Sequence, residues 1–90
     1  MKITAKEAFE KAKETNYKIH LDWLHNIERD IINRAEAGFL SYRIMEATEE
    51  NAKELKEIYT KAGFKVEVFR DPKFKTYYVV DINWDLGEDI

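Results

Sequence analysis

The chain contains no cysteine, a single proline and only three glycines. Without cysteine it forms no disulfide and no thiolate metal site, and this absence fits a reducing compartment. Because Gly38, Gly63 and Gly87 stand apart, they form no glycine-rich phosphate loop. The sequence also lacks an apolar run of about 18 residues and an N-terminal signal segment. We therefore expect a cytoplasmic protein that neither spans nor binds a membrane.

Residues that commonly perform catalysis are few and widely spaced. His20 and His25 point about 140° apart on a helix, so they cannot share a metal within it. Ser41, the only serine, lies in no nucleophile-elbow pattern. Glu49 and Glu50 fit the first turn of a helix, where the helix dipole favours acids. We predict a non-enzymatic protein with no catalytic residues, no metal site and no cofactor.

The net charge is −3, from 15 basic and 18 acidic residues. Proteins that bind nucleic acid without sequence preference usually have a basic excess, because neutralising phosphates supplies most of their affinity. Lysines and aromatic rings do mix between residues 65 and 77, a combination that suits stacking on bases. Glu67, Asp71 and Asp81 lie in the same region, however, so a solvated hairpin of mixed charge is favoured over a nucleic-acid site.

A chain of 90 residues that is 44% hydrophobic is expected to fold as one domain, residues 1–90, with residues 85–90 as an acidic tail. Thr4 and Glu7 form a capping box at the start of a helix. Thr15-Asn16 weakens this helix, which either stops there or continues with a bend. A helical apolar stripe then runs to Gly38; it consists of Tyr17, Leu21, Leu24, Ile27, Ile31 and Ala35.

Three strands and one further helix follow. Residues 39–45 alternate as a strand, and Thr48 caps a helix that ends at Gly63 and is expected to bury Ala52, Leu55, Ile58, Tyr59 and Ala62. Residues 64–69 and 76–84 alternate again around a turn, Arg70-Asp71-Pro72-Lys73. The predicted fold is α+β, in the order α-α-β-α-β-β, with a three-stranded sheet packed on helices. Strand order 1-3-2 is favoured because the last strand is the most apolar; order 1-2-3 is the alternative.

Both hairpin strands carry apolar residues on each of their two faces. One face is assigned to the core, with Phe64, Val66, Val68, Tyr78, Val80, Ile82 and Trp84. The other would expose an unusually apolar surface; its residues are Phe39, Ser41, Arg43, Met45, Phe69, Tyr77 and Val79. Three explanations compete: the first helix folds back over this face, a second copy packs on it, or a foreign protein or small ligand binds there.

The leading hypothesis is therefore an interaction module that forms a homo-oligomer and binds another protein. Its candidate binding residues are Phe39, Arg43, Met45, Lys65, Phe69, Lys75, Tyr77 and Val79. The alternative is a protein that sequesters a small anionic ligand, such as a nucleotide, in an oligomer cleft. Arg43, Lys65, Lys75 and Tyr77 would then supply charge and stacking.

Several segments resemble those of small uncharacterised bacteriophage and prophage accessory proteins. The opening Met1-Lys2-Ile3-Thr4-Ala5-Lys6-Glu7-Ala8 is similar to theirs, as are the later segments Lys53-Glu54-Leu55, Ala62-Gly63-Phe64-Lys65-Val66 and Tyr77-Tyr78-Val79-Val80 with the terminal Trp84. The resemblance covers nearly the whole chain but includes no catalytic residues. It implies an accessory phage protein in the host cytoplasm that blocks a host protein or sequesters a defence signal.

Overall fold

Residues 3–87 form two helices and three strands in the order α-β-α-β-β, which confirms the α+β class. The computed structural model describes residues 3–87, so the end of the predicted acidic tail, residues 88–90, lies outside the described residues. The elements are α1 (Ala5–Glu36), β1 (Ser41–Ala47), α2 (Glu49–Lys61), β2 (Lys65–Arg70) and β3 (Tyr78–Asn83). Among the described residues, no helix is both long and apolar enough to cross a membrane.

The two N-terminal helical segments form one continuous helix, α1, of 32 residues. Its start is capped as expected, since the Thr4 hydroxyl accepts from the Glu7 amide at 3.1 Å and donates to the Glu7 carboxylate at 3.0 Å. Thr15 and Asn16 each cost only a few tenths of a kcal/mol of helix propensity. Helix propagation is cooperative, so neither residue interrupts it.

The chain divides into two compact units, Met1–Asp30 and Ile31–Ile90, and the boundary falls within α1. In the first unit, every residue from Ile3 to Ile19 is exposed. The predicted apolar stripe is therefore buried only in part. Ile27 and Ile31 are buried, but Tyr17 is 64% exposed, and Ala35 is exposed as well.

Both helices end in the same glycine motif, which leads directly into a strand. Gly38 and Gly63 adopt positive φ, 91° and 96°. The following amides, of Phe39 and Phe64, each donate to a carbonyl in the last helical turn at 2.9 Å. Each phenylalanine ring also contacts the side chain of the residue whose carbonyl its amide binds. The Tyr59 and Phe64 ring centres lie 5.3 Å apart, which is the apolar contact typical of this motif. The Arg34 guanidinium lies 4.4 Å from the Phe39 ring centre, a cation–π contact.

The sheet order is β1-β3-β2, and both pairs of neighbours are antiparallel. This confirms the predicted order 1-3-2. Val80 and Ile82 of the central strand are fully buried, and Val80 lies opposite Ile44 on one side and Val68 on the other. The strand with the most continuous apolar set is central because only a central strand has neighbours on both sides.

Helix α2 packs on β2 and β3 and buries Ala52, Leu55 and Tyr59. Thr48 caps it as predicted, accepting from the Asn51 amide at 3.1 Å. The predicted burial of Ile58 and Ala62 is wrong, because Ile58 is 41% exposed and Ala62 is exposed too. Adjacent helical residues differ by about 100°, so a helix that turns Tyr59 toward the sheet turns Ile58 away.

Candidate interaction surface

The sheet has an inner face, which carries α2, and an outer face on the opposite side. Phe64 contacts Tyr59 of α2, so residues of the same parity in β2, Val66 and Val68, point to the inner face. The outer face then receives Lys65, Glu67 and Phe69 from β2; Ser41 and Arg43 from β1; and Val79, Asp81 and Asn83 from β3.

One half of the outer face is polar and internally paired. Arg43 and Glu67 lie opposite Asp81 on either side of it, and the Arg43 guanidinium binds the Asp81 carboxylate at 3.2 Å. Ser41 and Lys65 lie opposite Asn83 in the next row. The acids therefore offset the cations in this half of the face.

The other half is apolar and centred on Val79, which is only 2% exposed. Phe69 of β2 lies directly opposite Val79. On the other side of Val79, Met45 lies in β1 between Ile44 and Ala47, which are opposite Val80 and Tyr78. Tyr77 reaches the same face, because its carbonyl accepts from the Asp71 amide at 3.0 Å and so extends the ladder by one pair. Met45, Phe69 and Tyr77 remain 54%, 39% and 39% exposed. We call these three residues around Val79 the apolar patch.

A bulge in β1 shapes this half of the face. The register shifts between Ile44 and Ala47, and Glu46 has a positive φ of 58°. Bulges insert an extra residue and re-aim neighbouring side chains. The insertion keeps Ile44 and Ala47 both buried on the inner face and leaves Met45 exposed. No feature of the alternating sequence pattern indicated this bulge.

The predicted turn at Arg70-Asp71-Pro72-Lys73 is part of a longer loop, residues 71–77, between β2 and β3. Asp71 is 5% exposed, and its carboxylate accepts from the Lys73 amide at 2.8 Å and the Phe74 amide at 3.2 Å. The predicted strand start at Thr76 is wrong, because β3 begins at Tyr78. Lys75 lies in this loop and is exposed.

The structure brings together five of the eight candidate residues and separates the other three. Arg43 joins the apolar patch, since its guanidinium lies 5.6 Å from the Phe69 ring centre. Phe39 precedes β1, and its ring contacts Arg34. Lys65 lies at the opposite end of β2 from Phe69. The contiguous set is therefore Arg43, Met45, Phe69, Tyr77 and Val79.

The outer face offers little to a small anion. A pocket of about 100 Å³ lies between Lys65, Glu67, Asp81 and Asn83, smaller than the ~300 Å³ at which ligand pockets begin, and it contains two carboxylates. At the end of β2, a hydrogen bond to the Tyr78 hydroxyl raises the pKa of Arg70. Within residues 3–87, no group of three histidine, aspartate or glutamate side chains is placed to hold a metal ion.

Comparison of this chain with protein-family models, with curated proteins and with solved structures finds no match.

Proposed function

We propose that this chain is a non-enzymatic interaction module that self-associates and binds a partner protein through the apolar patch. In the phage setting that the sequence resemblance implies, the partner is a host protein in the bacterial cytoplasm. The observation that carries the proposal is the exposure of Met45, Phe69 and Tyr77 around a buried Val79.

The composition of this surface supports protein binding. Tyrosine, phenylalanine, methionine and arginine are enriched in the centres of protein interfaces, and the apolar patch with Arg43 contains one of each. The polar row of Asp81 and Glu67 borders it, as a rim borders the core of an interface. An aromatic centre held on a sheet is also rigid, so ordering it on binding costs little entropy.

The size of the patch indicates that more surface takes part. Side chains of this kind have about 200 Å² of area each, so the observed exposures leave about 250 Å² of apolar surface. A standard interface buries about 800 Å² per partner. The patch thus supplies the centre of an interface, and the remainder comes from its rim or from a second copy of the chain.

The anionic-ligand alternative has less support at this site. Arg43 is already paired with Asp81 at 3.2 Å, and Lys65 and Lys75 lie apart from Arg43 and from each other along the chain. A nucleotide would have to displace a carboxylate and gather these cations from different elements.

The proposal that the chain binds a partner protein is tested by affinity capture from a bacterial lysate. The wild-type chain is compared with the Tyr77→Glu and Lys73→Glu variants. Tyr77→Glu places a charge in the patch, whereas Lys73→Glu introduces one in the exposed loop as a matched control. The captured protein is then purified and titrated by calorimetry. We expect at least tenfold weaker binding for Tyr77→Glu and unchanged binding for Lys73→Glu. Equal binding by all three chains contradicts the proposal.

The proposal that the chain self-associates is tested by light scattering coupled to size-exclusion chromatography. At about 100 µM, an interface of standard size should be populated. A strictly monomeric wild-type chain at that concentration contradicts self-association.

A further inference from the structure

The two edges of the sheet differ in how their backbone is covered. At the β1 edge, the Arg34 side chain donates to the Ser41 carbonyl at 2.8 Å, and the bulge after Ile44 interrupts the strand. β2 is regular from Lys65 to Arg70, and no strand of the described chain pairs with its far side. Bulges and covered carbonyls prevent edge strands from pairing. β2 lacks both, so it is the edge that remains able to pair.

The hydrogen-bond pattern identifies which groups of β2 point outward. The amide of Asp71 donates to the carbonyl of Tyr77, so these residues form a hydrogen-bonded pair. Such pairs recur at every second residue of an antiparallel ladder. The backbone groups of Glu67 and Phe69 therefore point toward β3, and those of Val66 and Val68 point away from it. The Val66 and Val68 side chains are also only half-buried.

A second β2 strand is the occupant that fits this edge, and charge selects its register. With Val66 opposite Val66 of the second copy, Lys65 of each copy faces Glu67 of the other. Centring the pair on Glu67 instead places two glutamates opposite each other. Opposite charges across strands stabilise a pair, and like charges destabilise it. Of these two registers, only the Val66-centred one places complementary charges opposite each other.

We propose that two copies of this chain associate through antiparallel pairing of their β2 edges, centred on Val66. This inference rests on the self-association part of the proposed function and specifies its geometry. The twofold axis is perpendicular to the sheet, so the outer faces of both copies lie on the same side. Their apolar patches then share one continuous sheet surface, with about 500 Å² of exposed apolar area. That area is closer to what a standard protein interface requires.

Charge exchange at the paired positions tests the register. Lys65→Glu makes both facing pairs acidic, and Glu67→Lys makes both basic. By light scattering at about 100 µM, we expect a wild-type dimer and at least tenfold weaker association for each single variant. The double variant Lys65→Glu/Glu67→Lys restores the dimer.

Mixing the two single variants gives the most specific test of the register. In the mixed pair, the introduced carboxylate faces the introduced ammonium, and the unchanged Glu67 of one chain faces the unchanged Lys65 of the other. An equimolar mixture should therefore form a heterodimer although each variant alone is monomeric. Lys73→Glu serves as the control for a charge change outside β2 and should remain dimeric. Circular dichroism checks that every variant is folded, which the exposure of Lys65 and Glu67 leads us to expect.

Amide hydrogen exchange provides a second readout that needs no variant. The Val66 and Val68 amides should exchange at least tenfold more slowly at about 500 µM than at about 5 µM, because only the dimer protects them. Concentration-independent exchange overturns the proposal, as do a monomeric wild type, dimeric single variants or a mixture that stays monomeric. If Tyr77→Glu loses the captured partner while the charge variants associate normally, partner binding stands and edge pairing is wrong.

Discussion

Replacing Trp84 measures how much the end of β3 contributes to the core. The sequence predicts Trp84 on the inner face, and the structure places it 6.1 Å from Phe64, with its indole nitrogen donating to the Phe39 carbonyl at 3.0 Å. The side chain is half-buried, so Trp84→Ala removes on the order of 150 Å² of buried apolar area, equivalent to about 3–4 kcal/mol. Because the unfolded chain already buries part of that area, we expect a loss of about 3 kcal/mol. Urea unfolding followed by circular dichroism measures it, since fluorescence would change with the tryptophan itself.

The control variant is Trp84→Phe, which keeps an aromatic ring against Phe64 but removes the N–H donor. The freed Phe39 carbonyl is near solvent, so this variant should lose only about 1 kcal/mol. The competing view is that Trp84 anchors a partner, as tryptophan often does in interfaces. An alanine variant with an unchanged urea midpoint but lost self-association or partner binding would refute the core assignment.

Three further predictions concern the loop, a helix end and the anionic-ligand alternative. Asp71→Ala removes the acceptor of the Lys73 and Phe74 amides and should lower the free energy of unfolding by about 1–2 kcal/mol. Asp71→Asn keeps an acceptor oxygen and should lose less, so equal urea midpoints for the two variants would contradict the role of Asp71 as an acceptor. In Gly63→Ala the new methyl group meets no atom within 4 Å, so the expected loss of about 1 kcal/mol of stability comes from the positive φ alone. Gly63→Asn should lose less, because asparagine tolerates this conformation. Equal urea midpoints for the alanine and asparagine variants would count against that reason. Nucleotides, tested by thermal shift, should leave the melting temperature unchanged; a saturable increase that Arg43→Ala abolishes would instead favour the anionic-ligand alternative.

The parts of the fold that sequence reasoning predicted depend on short-range chemistry. Thr48 lies before a helical pattern, and Gly63 lies after it; both positions are defined by backbone groups within a few residues. The central position of β3 followed from burial, because Val80 and Ile82 belong to an apolar set that needs neighbours on both sides. The two helix ends need no knowledge of the distant chain, and the central position of β3 needs only the apolar pattern of that strand.

The parts that were missed depend on interactions over longer distances. Whether Thr15-Asn16 breaks α1 is decided by the cooperativity of 32 helical residues, not by two local propensities. The bulge near Met45 is a relation between β1 and β3, so alternation within β1 cannot reveal it. The loop after β2 is organised by the buried Asp71, whereas the sequence pattern indicates only a turn at Arg70-Asp71-Pro72-Lys73. An aspartate directly before a proline, between two alternating segments, is the sequence signal that points to such a loop, because its side chain can accept from backbone amides further along the chain.

The outer face shows why exposure must be known before an apolar surface can be interpreted. Sequence alternation assigned Val79 and Tyr77 to the same candidate site, and both do point to the outer face. Val79 is only 2% exposed, so a partner contacts the side chains around it rather than Val79 itself. Its role is to support Phe69 and Tyr77, because a filled centre holds the surrounding rings in place. A charge at Val79 would therefore disrupt folding as well as binding, whereas a charge at the half-exposed Tyr77 tests binding alone. For this reason the proposed function depends on Tyr77, and the proposed assembly depends on the charged edge of β2, where neither Lys65 nor Glu67 supports the core.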